Sequence, residues 1–268
     1  ESVLESLQAH DIGLEGLPWR ILRPARDNDV DVKCARAERN MRLARREITE
    51  TGHSPTLINC LAEAAQTLGE CEQAIALYRQ CLDADQATST ERLEAYYGLL
   101  TCLNGTEDAR DNQLALCVEA LEQFPLDAQL LCAMGGYLQS AGRIDLAIRS
   151  YETAYQFGRV NPLTWHLDEI TQIAAVCLSN ALQAQDADDK ALHVLQSAIE
   201  QHGKCPRLCR ALLDLHVKYG RVDAALQQVK YLEIDDHEQP IMETAIVGAA
   251  CVGRRDWESA ESQLQQAF

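Results

Sequence analysis

"AGRIDLAIRSYETAYQFG", residues 141–158, sets Gly142, Ala147, Tyr151 and Ala154 at successive spacings of five, four and three residues. On a helix, Ala147, Tyr151 and Ala154 share one face, because positions three and four apart are neighbours. Two small side chains flank a large one, which lets a second helix come close while the aromatic ring fills the space between them. The glycine ahead of them marks a turn that leads into this helix.

The arrangement recurs. "LGECEQAIALYRQCL" gives Gly69, Ala74, Tyr78 and Cys81 at the same offsets, and "YGRVDAALQQVKYL" gives Gly220, Ala225, Val229 and Leu232. "RRDWESAESQLQQAF" gives Arg255, Ala260, Leu264 and Ala267. Two weaker copies hold Ala191, Leu195 and Ala198, and Gln113, Cys117 and Ala120. The small position recurs after 34 residues from Gln113 to Ala147 and from Ala191 to Ala225, and after 35 from Ala225 to Ala260. The two longer intervals carry their excess in polar stretches, where insertions leave the packing intact.

Each copy is preceded by a second helical pattern. Leu131, Met134, Gly135 and Leu138 share a face, as do Ile58, Leu61, Ala62 and Ala65. Cys209, Leu212, Leu213 and His216 repeat it, and so do Thr244, Val247, Gly248 and Cys251. Small residues at Ala62, Gly98, Gly135 and Gly248 allow close approach of two helix axes. The predicted unit is helix, turn, helix, present about six times.

Composition narrows the classes. Hydrophobic residues make up 47% and charged residues 24%, as in ordinary globular chains. The net charge of −17 repels phosphate backbones and anionic membranes and favours basic partners. The eleven cysteines form no CxxC pair and mostly sit among Ala and Leu, where a thiol acts as a small apolar side chain. They point to a reducing, cytoplasmic setting. No apolar run approaches the roughly 20 residues of a membrane span.

These residues resemble tetratricopeptide repeats over about residues 54–268, with the family's period. The family's first-helix Trp is absent, and only Pro125 matches its end-of-repeat proline. The resemblance implies an all-α, right-handed superhelical solenoid of about six antiparallel helix pairs with a concave groove. It implies a protein or peptide partner, neither nucleic acid nor membrane, and no cofactor. Carried over position by position, the groove residues are Asn59, Glu63, Gln66, Arg92, Gln129, Gln139, Asp168, Thr171, Arg207, Arg210, Asp214 and Lys218. The family's full carboxylate clamp is not reproduced. Arg207, Arg210 and Lys218 are expected to form a local cationic site for a carboxylate or phosphate. The chain stops at Phe268 with an apolar final face, expected to meet a further helix or another copy.

Residues 33–52 read as a capping helix with Cys34, Ala37, Met41, Ala44 and Ile48 on one face and Arg39, Arg42 and Arg46 opposite. Residues 1–32 are less regular. The run from Arg39-Asn40 through Leu43 and Glu47 into the first repeat also resembles the junction in bacterial family-two glycosyltransferases that carry a tetratricopeptide tail. That resemblance implies an accessory, acceptor-recognition role, with the catalytic domain upstream of Glu1. Asp27-Asn28-Asp29 reads as a turn.

Catalytic motifs are missing. There is no phosphate-cradling Gly-rich loop, no GxSxG and no HExxH. His202, Cys205, Cys209 and His216 are the best metal-like group. Pro206 places Cys205 at a helix boundary, and Cys209 and His216 fall on packing positions, so they read as structural. The expected function is a non-catalytic interaction scaffold.

Overall fold

The computed structural model describes residues 30–104, 109–160, 169–235, 237–253 and 255–267. Thirteen helices lie among them. The first, α1 (Val30–Thr51), starts three residues ahead of the expected capping helix. Six pairs follow: α2 (Pro55–Thr67) with α3 (Cys71–Leu82), α4 (Ser89–Leu103) with α5 (Ala109–Gln123), and α6 (Ala128–Ser140) with α7 (Ile144–Phe157). Then come α8 (Ile170–Gln183) with α9 (Asp188–His202), α10 (Pro206–Lys218) with α11 (Val222–Val229), and α12 (Gln239–Gly253) with α13 (Trp257–Ala267).

Local chemistry sets the boundaries. Ser54 caps α2 by accepting from the Leu57 amide, and Pro55 occupies the first turn, where no amide hydrogen is needed. Thr88 and Glu91 form a reciprocal capping box on α4. Asp127 caps α6, its Oδ1 accepting from the Leu130 amide at 2.8 Å and its Oδ2 from the Tyr97 hydroxyl at 2.7 Å.

The turns within pairs are built alike. In five of the pairs the residue five before the small position is left-handed: Gly69, Gly142, Asp186, Gly220 and Arg255 all have positive φ. Its own amide bonds back three residues, and the next amide bonds back five. The longer bonds are Glu70 to Ala65, Arg143 to Leu138, Ala187 to Leu182, Arg221 to His216 and Asp256 to Cys251, each 2.9–3.0 Å. This closure satisfies the last carbonyls of the first helix and reverses the chain. Glycine enters the left-handed region without strain, whereas Asp186 and Arg255 hold it at a cost.

Packing is sequential. Each helix packs on the next in the chain, and in most steps successive first helices also touch, from α2 to α4 and from α6 through α8 and α10 to α12. First helices therefore crowd one side of the stack and form its inner wall. The core is a chain of local clusters, not one centre. One joins α1 through α6, a second is built around Ala147, Leu178 and Leu195, and a third around Leu213, Val229 and Ile246. Ala37, Met41 and Ala44 bury α1 against the first cluster, which makes α1 the stack's first layer.

The small residues act as spacers. A Cβ on Gly135 would stand 2.5 Å from the Tyr151 ring, and one on Gly248 would stand 2.7 Å from Leu264 Cγ. At Gly98 the ring that a Cβ would strike belongs to Tyr78 of the preceding pair. Small residues therefore set spacing both within pairs and between them.

Candidate functional site: the inner wall

The inner wall offers a cleft of about 440 Å³ between α8 and α10. Val176, Asn180 and Gln183 line it from α8; Arg207, Arg210, Ala211, Asp214 and Lys218 line it from α10. Four expected groove residues, Arg207, Arg210, Asp214 and Lys218, thus meet in one place. The α8 wall was missed, although Val176, Asn180 and Gln183 fall at one-face spacing and could have been found that way.

The expected cationic site is instead balanced. Arg207 Nη2 lies 2.8 Å from Glu169 Oε2, Lys218 Nζ lies 2.9 Å from Asp188 Oδ1, and Arg210 Nε lies 3.7 Å from Asp214 Oδ1. Burial raises the Asp214 carboxyl above its ordinary range against the pull of Arg210. Most of these groups are exposed, so each pair contributes no more than about 1 kcal/mol. Such pairs exchange readily for charges or amides supplied by a partner.

Other expected groove residues have structural duties. Gln66 Oε1 accepts from the Tyr78 hydroxyl at 2.9 Å, and Gln139 Oε1 from the Tyr151 hydroxyl at 3.2 Å. Both pairs are twelve residues apart, a signature these two units share. Arg92 turns away from the inner wall. Its guanidinium donates to the carbonyls of Leu82 at 2.9 Å, Ala84 at 3.0 Å and Ala87 at 3.3 Å, holding the loop between the first two pairs. Asn59 is buried and donates to the Glu91 carbonyl oxygen at 2.8 Å, tying α2 to α4. Glu63 is exposed, and Gln129 and Thr171 are half-buried. Asp168, the Asp27-Asn28-Asp29 turn and the Phe268 end lie outside the described residues. On the last pair, Ile241, Val252 and Trp257 are exposed.

Among the described residues no three metal-ligating side chains converge. Cys209 and His216 are buried on the packing face of α10, and the Cys205 thiol donates to Gln172 Oε1 at 3.0 Å. No helix among the described residues is long and apolar enough to cross a membrane.

No family model and no curated protein matches the chain. Solved structures do. The structure from a functional characterisation of Pseudomonas aeruginosa PilF superimposes with a TM-score of 0.57 at 17% identity, over 79% of this chain and 89% of that one. The C-terminal part of a TPR repeat-containing protein from Cytophaga hutchinsonii superimposes with a TM-score of 0.57 at 13% identity, over 89% and 94%. With six helix pairs stacked in succession and small residues setting their spacing, the chain has the tetratricopeptide-repeat fold, an all-α solenoid.

Proposed function

We propose that the chain is a non-catalytic interaction scaffold that holds a peptide or protein segment along its inner wall, centred on the α8–α10 cleft. The observation that supports this is the cleft's chemistry. It combines apolar Val176 and Ala211 with the exposed amide of Asn180, the half-buried amide of Gln183 and exchangeable ion pairs. Such a surface recognises an extended or helical segment through many modest contacts. Replacing Arg207 and Arg210 with Glu turns the wall acidic without touching the packing face. In a pull-down from the source cells, the double variant is expected to lose the wild-type partner. Unchanged capture would overturn the reading.

A further inference from the structure

The second helices form the outer face of the stack, and two of its grooves differ where the repeat would make them alike. Between α3 and α5, Arg79 lies 3.3 Å from Glu119 and bridges the two helices. Arg79 stands five residues after the small position Ala74, and Glu119 six after Gln113. The same offsets from Ala147 and Ala191 give Glu152 on α7 and Ser197 on α9. These two form no ion pair. The groove is crossed instead by the Tyr155 hydroxyl, which donates to Ser197 Oγ at 3.4 Å. A cavity of about 580 Å³ lies open between α7 and α9.

Leu178 and Leu182, buried on α8, line this cavity together with half-buried Ile148 and Tyr155 of α7 and Val194 of α9. Glu152 and Lys190 line it from opposite helices. Both are exposed, and neither has an ion-pair partner among the described residues. Glu152 accepts only a long hydrogen bond from Gln156, at 3.4 Å. Asp189 and His193 complete the charged rim, so two acids stand with one lysine and one histidine. The rim is close to neutral in a chain of net charge −17. Two copies of so acidic a chain repel each other over most of their surface, and a near-neutral apolar groove is where they can meet. The unpaired charges fit the same occupant. A two-fold axis midway between two groups on one face sets each against the copy of the other, so an acid and a base are both met by a single operation.

We infer that the outer groove between α7 and α9 docks the same groove of a second copy of this chain, with Glu152 of each copy against Lys190 of the other. The apolar lining supplies the contact, and the two ion pairs fix its register. Helices of 14 and 15 residues, about 20 Å long, offer less than the roughly 800 Å² per partner of a standard interface, so the dimer is weak and concentration-dependent. Docked outer face to outer face, the two copies leave both inner walls open, and the dimer presents two partner sites at once. The inference goes beyond the inner-wall reading and stands without it.

The test is sedimentation velocity over protein concentrations from about 1 μM to about 1 mM, in salt that screens the net repulsion. Wild type should pass from one copy to two. Glu152→Lys and Lys190→Glu each set like charges together twice, and each should weaken association at least about tenfold. The double variant, Glu152→Lys with Lys190→Glu, exchanges the two charges and should restore association to within about threefold of wild type. Glu200→Lys, on α9 outside the groove, changes the net charge as much as Glu152→Lys does and should leave association intact. All three positions are exposed, so the fold is expected to persist, as circular dichroism checks. Wild type that stays single throughout, single variants that associate like wild type, or a folded double variant that stays single overturns the inference. So does a crosslinking residue at Ser197 that captures another protein in the source cells while the chain stays single in solution, a result that assigns the groove to that protein.

Discussion

Two adjacent glycines on α6 should respond oppositely to the same substitution. Replacing Gly135 with Ala puts a Cβ 2.5, 2.7 and 2.8 Å from three atoms of the Tyr151 ring. Carbon atoms in contact settle at about 3.5–4.0 Å, so ring or helix axis must retreat by about 1 Å. The ring has little room to move, being 4% exposed and tethered through its hydroxyl to Gln139. Overpacking of this kind costs about 1–3 kcal/mol, against about 1 kcal/mol gained from alanine's better helix propensity. The expected net effect is a loss of up to about 2 kcal/mol. At Gly136 the nearest atom to a Cβ is the Tyr151 hydroxyl at 3.7 Å, an ordinary contact. There the propensity gain stands nearly alone, and Gly136→Ala should stabilise by up to about 1 kcal/mol. Urea unfolding followed by circular dichroism measures both. In a Tyr151→Val background the penalty at Gly135 should disappear, giving a double-mutant coupling of the same size. Equal shifts at the two sites, or a penalty that survives without the ring, would refute the spacer role of Gly135.

Three further outcomes follow from the turns and the buried polar groups. Arg255→Gly removes a left-handed non-glycine residue and should stabilise by about 1 kcal/mol, with Asp186→Gly gaining less because Asp tolerates that region better; thermal unfolding checks both. Arg92→Ala should cost about 1.5–3 kcal/mol and speed hydrogen exchange at residues 82–87, and Arg92→Lys should not restore it, since an ammonium cannot span three carbonyls as a planar fork does. Burial, aided by Arg221, holds the His216 imidazole below its ordinary pKa of 6.5, and Nδ1 has no hydrogen-bond partner among the described residues. Between the folded and unfolded values the unfolded chain binds the extra proton, so stability is complete above about pH 6.5 and falls as the pH drops. His216→Leu should flatten that acid-side decline in urea midpoints relative to wild type, and parallel declines would count against it.

The pair architecture was legible because close packing restricts residue size at fixed intervals. Ala74, Ala147 and Ala225 are fully buried where the repeat placed them. Even Arg255, aligned with the turn glycines despite its side chain, takes their left-handed backbone. The inner wall was harder to read, since positions carried from a family specify a face and not a contact. Arg92 lies next to that face in sequence, but the carbonyls at the end of α3 draw its guanidinium away. Arg207 and Lys218 of α10 look unpaired in sequence because their acids, Glu169 and Asp188, lie 38 and 30 residues earlier. The sequence marks Gly98 as a spacer without naming its partner, and only three-dimensional stacking shows the ring of Tyr78 lying on it.

The most direct measurement places a photo-crosslinking phenylalanine analogue at Val176, on the wall of the α8–α10 cleft, and separately at Val118, exposed on the second helix α5. Irradiated in the source cells, the Val176 protein should yield a discrete adduct with one partner, and the Val118 protein should not. An adduct at Val118 with none at Val176 would contradict the assignment of the inner wall as the partner-binding face.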